Sequence, residues 1–206
     1  MYSKFENLEE DKRQRILNAA MKEFAAKGYD HASTNRIVEN AGIAKGLLFH
    51  YFKSKKKLYL YLYRYCVELF AREVFEGVDV AQTDFFCRIR DVQRIKFGLI
   101  RRFPDLFEFT QSAYLEQSAE VLAEIRDCGR ELLQNSTERI FHNIDYSPFR
   151  GDLDRGLIIT TVMWVFEGFA NDFLNKTKLA GGTVDYDRML LEAERYMEFL
   201  RESFYQ

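Results

Sequence analysis

The 206-residue chain has only two prolines, Pro104 and Pro148, and no long stretch in which Val, Ile or Thr alternates with polar residues. A half-buried sheet needs that alternation, and proline interrupts long helices, so both absences favour an all-α fold. The three cysteines, Cys66, Cys87 and Cys128, form an odd set without CxxC spacing. That pattern argues against a disulfide scaffold or a structural zinc site and is typical of a reducing cytoplasm.

Motifs that carry catalytic chemistry are also missing. No Ser/His/Asp or Cys/His set accompanies a recognisable nucleophile turn, and no glycine-rich loop is present to cradle a phosphate. The sequence therefore predicts neither an enzyme nor a bound cofactor. His31 and His142 have no Cys, Asp or Glu partners at ligand spacing, so we expect no metal site.

No targeting or membrane-spanning segment is evident in the sequence. The N-terminus, MYSKFENLEEDKRQR, is too polar for a signal peptide. The most apolar run, Leu157 to Phe166, is closed by Arg155 and Glu167 and is too short to span a bilayer. We therefore expect this run to form a buried helix in a cytoplasmic protein that has no membrane partner.

Charge is spread unevenly along the chain. The formal net charge is −2, but residues 1–58 hold 12 Lys and Arg against 7 Asp and Glu, whereas the remainder holds 18 against 25. A basic end on an acidic body indicates a local module for a polyanion, with chance clustering as the alternative.

Helical periodicity and capping signals predict the order of the elements. Residues 1–9 are expected to fray, and the glycine-bearing segment from Lys176 to Thr183 to form a loop. The helix that begins at Tyr114 would turn Leu132 and Leu133 inward. Helices are predicted at Asp11–Lys27, as two short elements between Ser33 and Lys53, and at Lys55–Glu76, Asp84–Arg102, Pro104–Thr110, Tyr114–His142, Asp152–Leu174 and Asp185–Phe204.

The stretch from Ser33 to Lys57, STNRIVENAGIAKGLLFHYFKSKKK, predicts two short helices joined by a tight turn. Gly42 ends the first helix, because the left-handed conformation at a helix end is accessible to glycine. Leu48 and Phe52 lie on the inner face of the second helix, which turns Lys45 outward. This is the helix-turn-helix arrangement, whose second helix fits the major groove of DNA.

Residues 10–60 closely resemble the N-terminal domain of the tetracycline-repressor (TetR) family of bacterial transcription regulators. The matching stretches are RQRILNAAMKEFAAKGYD and STNRIVENAGIAKGLLFHYFKSKKKL. The resemblance implies a three-helix DNA-binding domain at residues 1–54. A long helix would join it to a helical effector-binding and dimerisation domain at residues 55–206.

By the same resemblance, DNA contacts fall at the start of the first short helix, along the second and at the start of the linker helix. Lysines there neutralise phosphates and give affinity more than sequence preference. For Tyr51 and His50 the alternatives are a packed aromatic ring and an exposed bystander. Ala44 replaces the family's usual serine cap, and Leu47 replaces a hydroxyl residue and is suited to a thymine methyl. The predicted DNA-binding residues are Ser33, Asn35, Lys45, Gly46, Leu47, His50, Tyr51 and Lys55.

Aromatic residues are abundant in the rest of the chain. At helical spacing most of them belong in a core, and that is one interpretation. The family resemblance implies another, a cavity for a small hydrophobic or aromatic effector with a few polar anchors. The predicted ligand-binding residues are Phe97, Arg101, Phe107, Tyr114, Trp164 and Glu167.

The resemblance also implies a homodimer through the 152–174 and 185–204 helices. Gly156, Gly168 and Ala170 would let a partner helix approach closely, and a two-fold dimer predicts a palindromic double-stranded DNA operator. The predicted function is a sequence-specific transcriptional regulator, a repressor released from its operator by a small hydrophobic or aromatic ligand. The alternative is a helical lipid- or acyl-binding module without DNA-regulatory activity.

Overall fold

The computed structural model describes residues 2–206, apart from the side chains of residues 131–136, 139 and 178. In that part of the chain there are ten α-helices and no β-strand, which confirms the all-α prediction. The predicted inward positions of Leu132 and Leu133 lie outside the described side chains. The helices are α1 (Ser3–Glu6), α2 (Glu10–His31), α3 (Thr34–Ala41), α4 (Lys45–Phe52), α5 (Lys55–Gly77), α6 (Phe85–Arg102), α7 (Pro104–Tyr114), α8 (Leu122–Phe141), α9 (Arg155–Leu179) and α10 (Tyr186–Phe204).

Helix α2 buries one face along its length. Gly28 has a φ of 67°, which L side chains rarely adopt, and the chain makes one more helical turn as far as His31. The regular helix therefore ends at Gly28, directly after Lys27, as predicted. The predicted inward residues are all at most 1% exposed: Ile16, Leu17, Ala20, Met21 and Phe24.

Helices α3 and α4 form the predicted helix-turn-helix. Gly42 has left-handed dihedrals, and its N–H donates to the carbonyl of Glu39. The N–H of Ile43 donates to the carbonyl of Val38, so the turn satisfies two carbonyls at the end of α3. The inner faces of both helices are buried by Ile37, Ala41, Leu48 and Phe52.

The chain forms two compact units. Unit 1 comprises Met1–Arg72 and Arg102–Asn135, and unit 2 comprises Glu73–Arg101 and Ser136–Gln206. Helix α7 belongs to unit 1 because it packs along α2. The two units are defined by contacts within the chain, and their limits differ from the predicted boundary between the DNA-binding and effector-binding domains. That boundary, between residues 54 and 55, stays a prediction.

The helix predicted over Tyr114–His142 is wrong in its first part. Helix α7 ends at Tyr114, and α8 begins only at Leu122. The carboxylate of Glu116 stabilises the intervening turn, since its Oε1 accepts hydrogen bonds of 2.9 Å from the N–H groups of Gln117 and Ser118. Those N–H groups would otherwise lack partners at the break in the helix.

Helix α9 differs from its prediction in length and in burial. It continues past Lys176, where a loop was predicted, to Leu179. It was expected to be buried, but Leu157 and Trp164 are 69% and 70% exposed. Its stretch Arg155–Thr177 is long and apolar enough to cross a membrane. Core helices of soluble proteins can have the same length and composition. Within unit 2, α9 packs against α10.

The N-terminal segment departs from its prediction too. Residues 1–9 were expected to fray, yet α1 forms within them and Phe5 is fully buried. The segment orders because its two aromatic residues, Tyr2 and Phe5, pack against the ring of Tyr61.

Candidate DNA-binding surface

The eight residues predicted to contact DNA lie around one helix-turn-helix. Ser33 and Asn35 stand at the start of α3, and Lys55 opens α5. The others lie along α4: Lys45, Gly46, Leu47, His50 and Tyr51. Asn35 and the α4 residues Lys45, Gly46 and His50 are exposed, whereas the remaining four are half-buried.

The start of α4 is open to another molecule. Nothing lies within 4 Å of the position that a Cβ would take at Gly46. Ala44 occupies the N-cap position and provides no capping bond, as its side chain predicts. Free N–H groups and a positive helix end therefore meet on an exposed surface, which favours an anion such as a phosphate.

The two lysines of this surface have different surroundings. Lys45 is exposed and has no ion pair among the described residues. The Nζ of Lys55 lies 3.1 Å from the carbonyl oxygen of Asp30 and 3.5 Å from that of Ala32. It also lies 4.7 Å from the ring centroid of Tyr29. To bind a phosphate, Lys55 would therefore give up its contacts with two carbonyl groups and an aromatic ring. Lys45 has no ion pair among the described residues that it would need to break.

Three glutamates hold the end of α2 and the start of α5, and we call Glu116, Glu120 and Glu124 the glutamate clamp. The N–H of Tyr29 donates to Glu116 Oε2 (2.7 Å), and its hydroxyl donates to Glu120 Oε2 (2.6 Å). Glu124 pairs with Lys56 at 2.5 Å. Burial and then the bond to Glu120 raise the pKa of Tyr29, so the phenol stays protonated and donates.

Sequence reasoning missed the clamp. The only signal was the four-residue spacing of its glutamates, which is equally typical of an exposed helix face. The bond from Ser118 Oγ to Asp30 Oδ1 (2.7 Å) joins the same two segments, 88 residues apart in the chain. Such long-range pairs leave no periodic pattern in the sequence.

The predicted ligand-binding residues are divided between the two units. In unit 2, Phe97 is buried and lies 6.4 Å from the ring of Phe169, and exposed Arg101 pairs with Asp187 at 3.6 Å. Also in unit 2, Trp164 and Glu167 are exposed on α9. In unit 1, Phe107 is half-buried and Tyr114 is 79% exposed.

Two further polar residues of α6, Gln93 and Lys96, have surroundings that the sequence did not predict. Gln93 is 5% exposed, and its Oε1 has no hydrogen-bond partner in the described part of the chain. Burial lowers the pKa of Lys96, one turn further along, while the carboxylate of Glu167 opposes that shift. Among the described residues, no group of three or more His, Cys, Asp or Glu is placed to hold a metal ion.

Large apolar side chains are exposed on α9 and α10, and we call this set the apolar face. They comprise seven of the ten exposed large hydrophobic residues in the described part of the chain. Large apolar side chains exposed on two helices that pack together are a common mark of an interaction surface. Its members are Leu157, Met163, Trp164 and Leu179 on α9 and Leu191, Tyr196 and Phe199 on α10.

Comparison with known proteins gives consistent similarities. The model of the family "Bacterial regulatory proteins, tetR family" matches residues 16–62, which include all of α3 and α4. The chain is 39% identical over 159 residues to the HTH-type transcriptional repressor AcnR of Corynebacterium efficiens, covering 76% of this chain and 79% of that protein. It is 29% identical over 150 residues to the HTH-type transcriptional repressor Rv1474c of Mycobacterium tuberculosis, covering 69% and 76%.

A solved structure extends the similarity to the whole length of the chain. The crystal structure of a TetR family transcriptional regulator from Chloroflexus aurantiacus superposes with a TM-score of 0.70 at 26% identity. The alignment covers 99% of this chain and 98% of that one. The similarity therefore includes the helices of unit 2, which the family model does not reach.

Proposed function

The chain belongs to the TetR family of bacterial transcription regulators, and from that premise we propose that it is a repressor released from its operator by a small ligand. Membership makes it a DNA-binding transcriptional regulator. Both AcnR and Rv1474c are repressors, which supports the repressing sign. The observation that carries the proposal is α4, whose inner face is buried by Leu48 and Phe52 and whose outer face is exposed.

In the proposed complex α4 lies in the major groove. Lys45 pairs with a phosphate at the start of the helix, where free N–H groups add to the attraction. Leu47 and His50 face base edges, and Tyr51 donates to a phosphate. Lys55 adds a second ionic contact. Ser33, Asn35 and Gly46 complete the proposed surface.

The apolar face supports a homodimer through α9 and α10. Regulators of the TetR family act as dimers, and a second copy of this chain would cover Trp164, Leu191 and Phe199, which are 64–70% exposed. A two-fold dimer presents two copies of α4, which suits a palindromic operator with half-sites about 34–36 Å apart.

The polar residues of α6 support an effector site in unit 2. A buried amide oxygen without a partner is unfavourable, and a partly buried ammonium gains from a nearby acceptor. A ligand that donates a hydrogen bond to Gln93 and directs an acceptor or a negative charge toward Lys96 would satisfy both. Its apolar part would pack on aromatic rings such as Phe97. The proposed effector is therefore a small hydrophobic molecule with a polar end.

The glutamate clamp supports a route by which α7 and α8 act on the DNA-binding surface. Glu116 and Glu120 hold Tyr29, and the ring of Tyr29 lies against the ammonium of Lys55. Movement of the turn between α7 and α8 would change the surroundings of a proposed phosphate contact. In this proposal effector binding shifts that turn together with α5.

DNA binding is tested with the duplex that the wild-type protein selects from a randomised pool. We expect Lys45→Ala combined with Lys55→Ala to abolish measurable binding at physiological salt. In dilute salt, where residual binding is measurable, the double variant should lower the salt slope by about two, because each lysine neutralises one phosphate. Lys22→Ala combined with Lys176→Ala removes the same charge from exposed positions on α2 and α9 and should leave the slope unchanged.

If the wild-type protein enriches no duplex, the repressor proposal is wrong. In that case the lipid- or acyl-binding module becomes the better explanation of the helical body. Equal slopes for the lysine variant and its control would contradict the proposed phosphate contacts and leave DNA binding itself intact.

A further inference from the structure

The N-terminal arm, residues 2–9, lies outside residues 16–62, the range that the family model matches. Its helix α1 nevertheless contributes a fully buried side chain, Phe5, to unit 1. The guanidinium of Arg13 donates to the carbonyl of Glu6 at 2.7 Å and thereby ties the arm to α2. The arm is thus a fixed part of unit 1.

The arm packs against the last residues of α4. The ring of Phe5 lies 4.6 Å from that of Phe52 and 5.7 Å from that of Tyr51, between centroids. It also lies 5.5 Å from the ring of Tyr61 on α5, and Tyr2 lies 4.7 Å from the same ring. The contacts of Phe5 with Tyr51 and Tyr61 are edge-to-face, and such contacts favour one orientation of each ring.

Phe5 therefore occupies the corner between α4 and α5. Burial, followed by the carboxylate of Glu6, raises the pKa of Tyr61 to about 12, in agreement with a closed corner. The ring of Tyr51 also lies 5.7 Å from the imidazole of His50 and 6.4 Å from the ring of Phe52, both neighbours on its own helix. Without Phe5, Tyr51 would lose the contact that fixes it from the arm.

We infer that Phe5 is a positioning residue for DNA reading, which holds the ring of Tyr51 so that its hydroxyl meets a phosphate. This inference rests on the proposed function, since it requires Tyr51 to contact DNA. Phe5 itself touches no DNA. A side chain fixed before binding loses less freedom when the complex forms, so the arm raises affinity through Tyr51.

The first experiment measures binding of the selected duplex by Phe5→Ala. Loss of one hydrogen bond to a charged phosphate predicts affinity lower by about tenfold, with an unchanged salt slope because no cation is removed. Phe5→Leu, which refills most of the corner, should recover part of the affinity. Phe24→Ala removes an equally buried ring that faces Tyr59 and Phe109 instead of α4, and it controls for lost stability. All variants are compared at a temperature at which circular dichroism shows them folded.

The second experiment is a double-mutant cycle with Tyr51→Phe, which keeps the ring and removes the hydroxyl. If Phe5 acts through that hydroxyl, Phe5→Ala should weaken binding by less than about twofold in the Tyr51→Phe background. Additive losses would overturn the inference, as would equal losses in Phe5→Ala and Phe24→Ala. A salt slope lowered by about one would also overturn it, since an arm cation such as Lys4 would then contact DNA directly.

The two proposals can fail separately. A wild-type protein that selects no duplex overturns the proposed function and this inference together. A wild-type protein that binds, combined with an additive cycle, overturns only the role of Phe5.

Discussion

Large apolar side chains are buried around α4 and exposed on the apolar face. At the end of α4, Phe52 is fully buried, and its ring lies against rings from two other segments of the chain, that of Phe5 in the arm and that of Tyr61 on α5. On the apolar face, Trp164 and Phe199 are 70% and 64% exposed. The first region is complete within one chain, whereas the second leaves its apolar surface uncovered.

The difference agrees with the partner that is proposed for each region. A surface that reads DNA presents polar and cationic groups, so its apolar side chains must be covered from within. A surface that associates with a second copy gains its free energy by burying apolar area only on assembly. The stability of the first region should therefore be independent of protein concentration, whereas that of the second should not.

The largest expected effect compares how the stability of the two regions depends on protein concentration. We expect Phe52→Ala to lower the free energy of unfolding by about 3–5 kcal/mol, because it leaves a cavity in a closed aromatic cluster. Phe199→Ala should act on association, so its effect should shrink as the protein is diluted. Urea unfolding at a low and a high protein concentration measures both. A concentration-independent loss for Phe199→Ala would contradict the comparison.

The next effect tests the apolar face directly. Leu191→Asp places a charge on it and should raise the dimer dissociation constant by roughly two orders of magnitude. Light scattering then reports a monomer at micromolar protein. Trp164, the chain's single tryptophan, should become open to quenching by acrylamide. Ala123→Asp adds the same charge at an exposed position on α8. This control variant should stay dimeric, and Trp164 should stay protected from acrylamide.

The smallest effect concerns the glutamate clamp. Tyr29→Phe removes the hydroxyl that donates to Glu120 at 2.6 Å. Because Glu120 is exposed, we expect a loss of about 0.5–1.5 kcal/mol in the free energy of unfolding at neutral pH. The folded state raises the pKa of Tyr29, so this contribution is complete below the ordinary phenol pKa of about 10 and declines above it.

The measurement is therefore urea unfolding of wild type and Tyr29→Phe at neutral and alkaline pH. The difference between them should narrow as the pH rises above about 10. Tyr114→Phe removes the hydroxyl of an exposed tyrosine at the end of α7; it is the control and should change little. A gap that widens with pH would show that Tyr29 does not donate to Glu120.

The parts of the fold that could be predicted were those with local causes. The inward face of α2 follows from the spacing of residues such as Ile16 and Phe24, and both are fully buried. Gly42 ends α3 in the left-handed conformation because its lack of a Cβ permits it. The helix-turn-helix could therefore be identified with its boundaries from residues within a few turns of one another.

The failures have the opposite cause. Nothing near Glu116 in the sequence shows that its carboxylate will accept from Tyr29, 87 residues away, at the point where the predicted helix is interrupted. Phe5 sits in a polar segment and becomes buried only because Phe52 and Tyr61 receive it. The exposure of α9 could not be predicted either, since an apolar helix suits an intramolecular core and a dimer interface equally well.

The sequence by itself determined the all-α class, the helix-turn-helix and the family, because helical periodicity, glycine turns and a local motif are short-range properties of the chain. Only the tertiary structure decided that the arm joins α4, that glutamates clamp Tyr29, and that Lys55 has partners while Lys45 has none among the described residues. These contacts join segments that are distant along the chain. Their free energy exists only once the fold has brought the partners together.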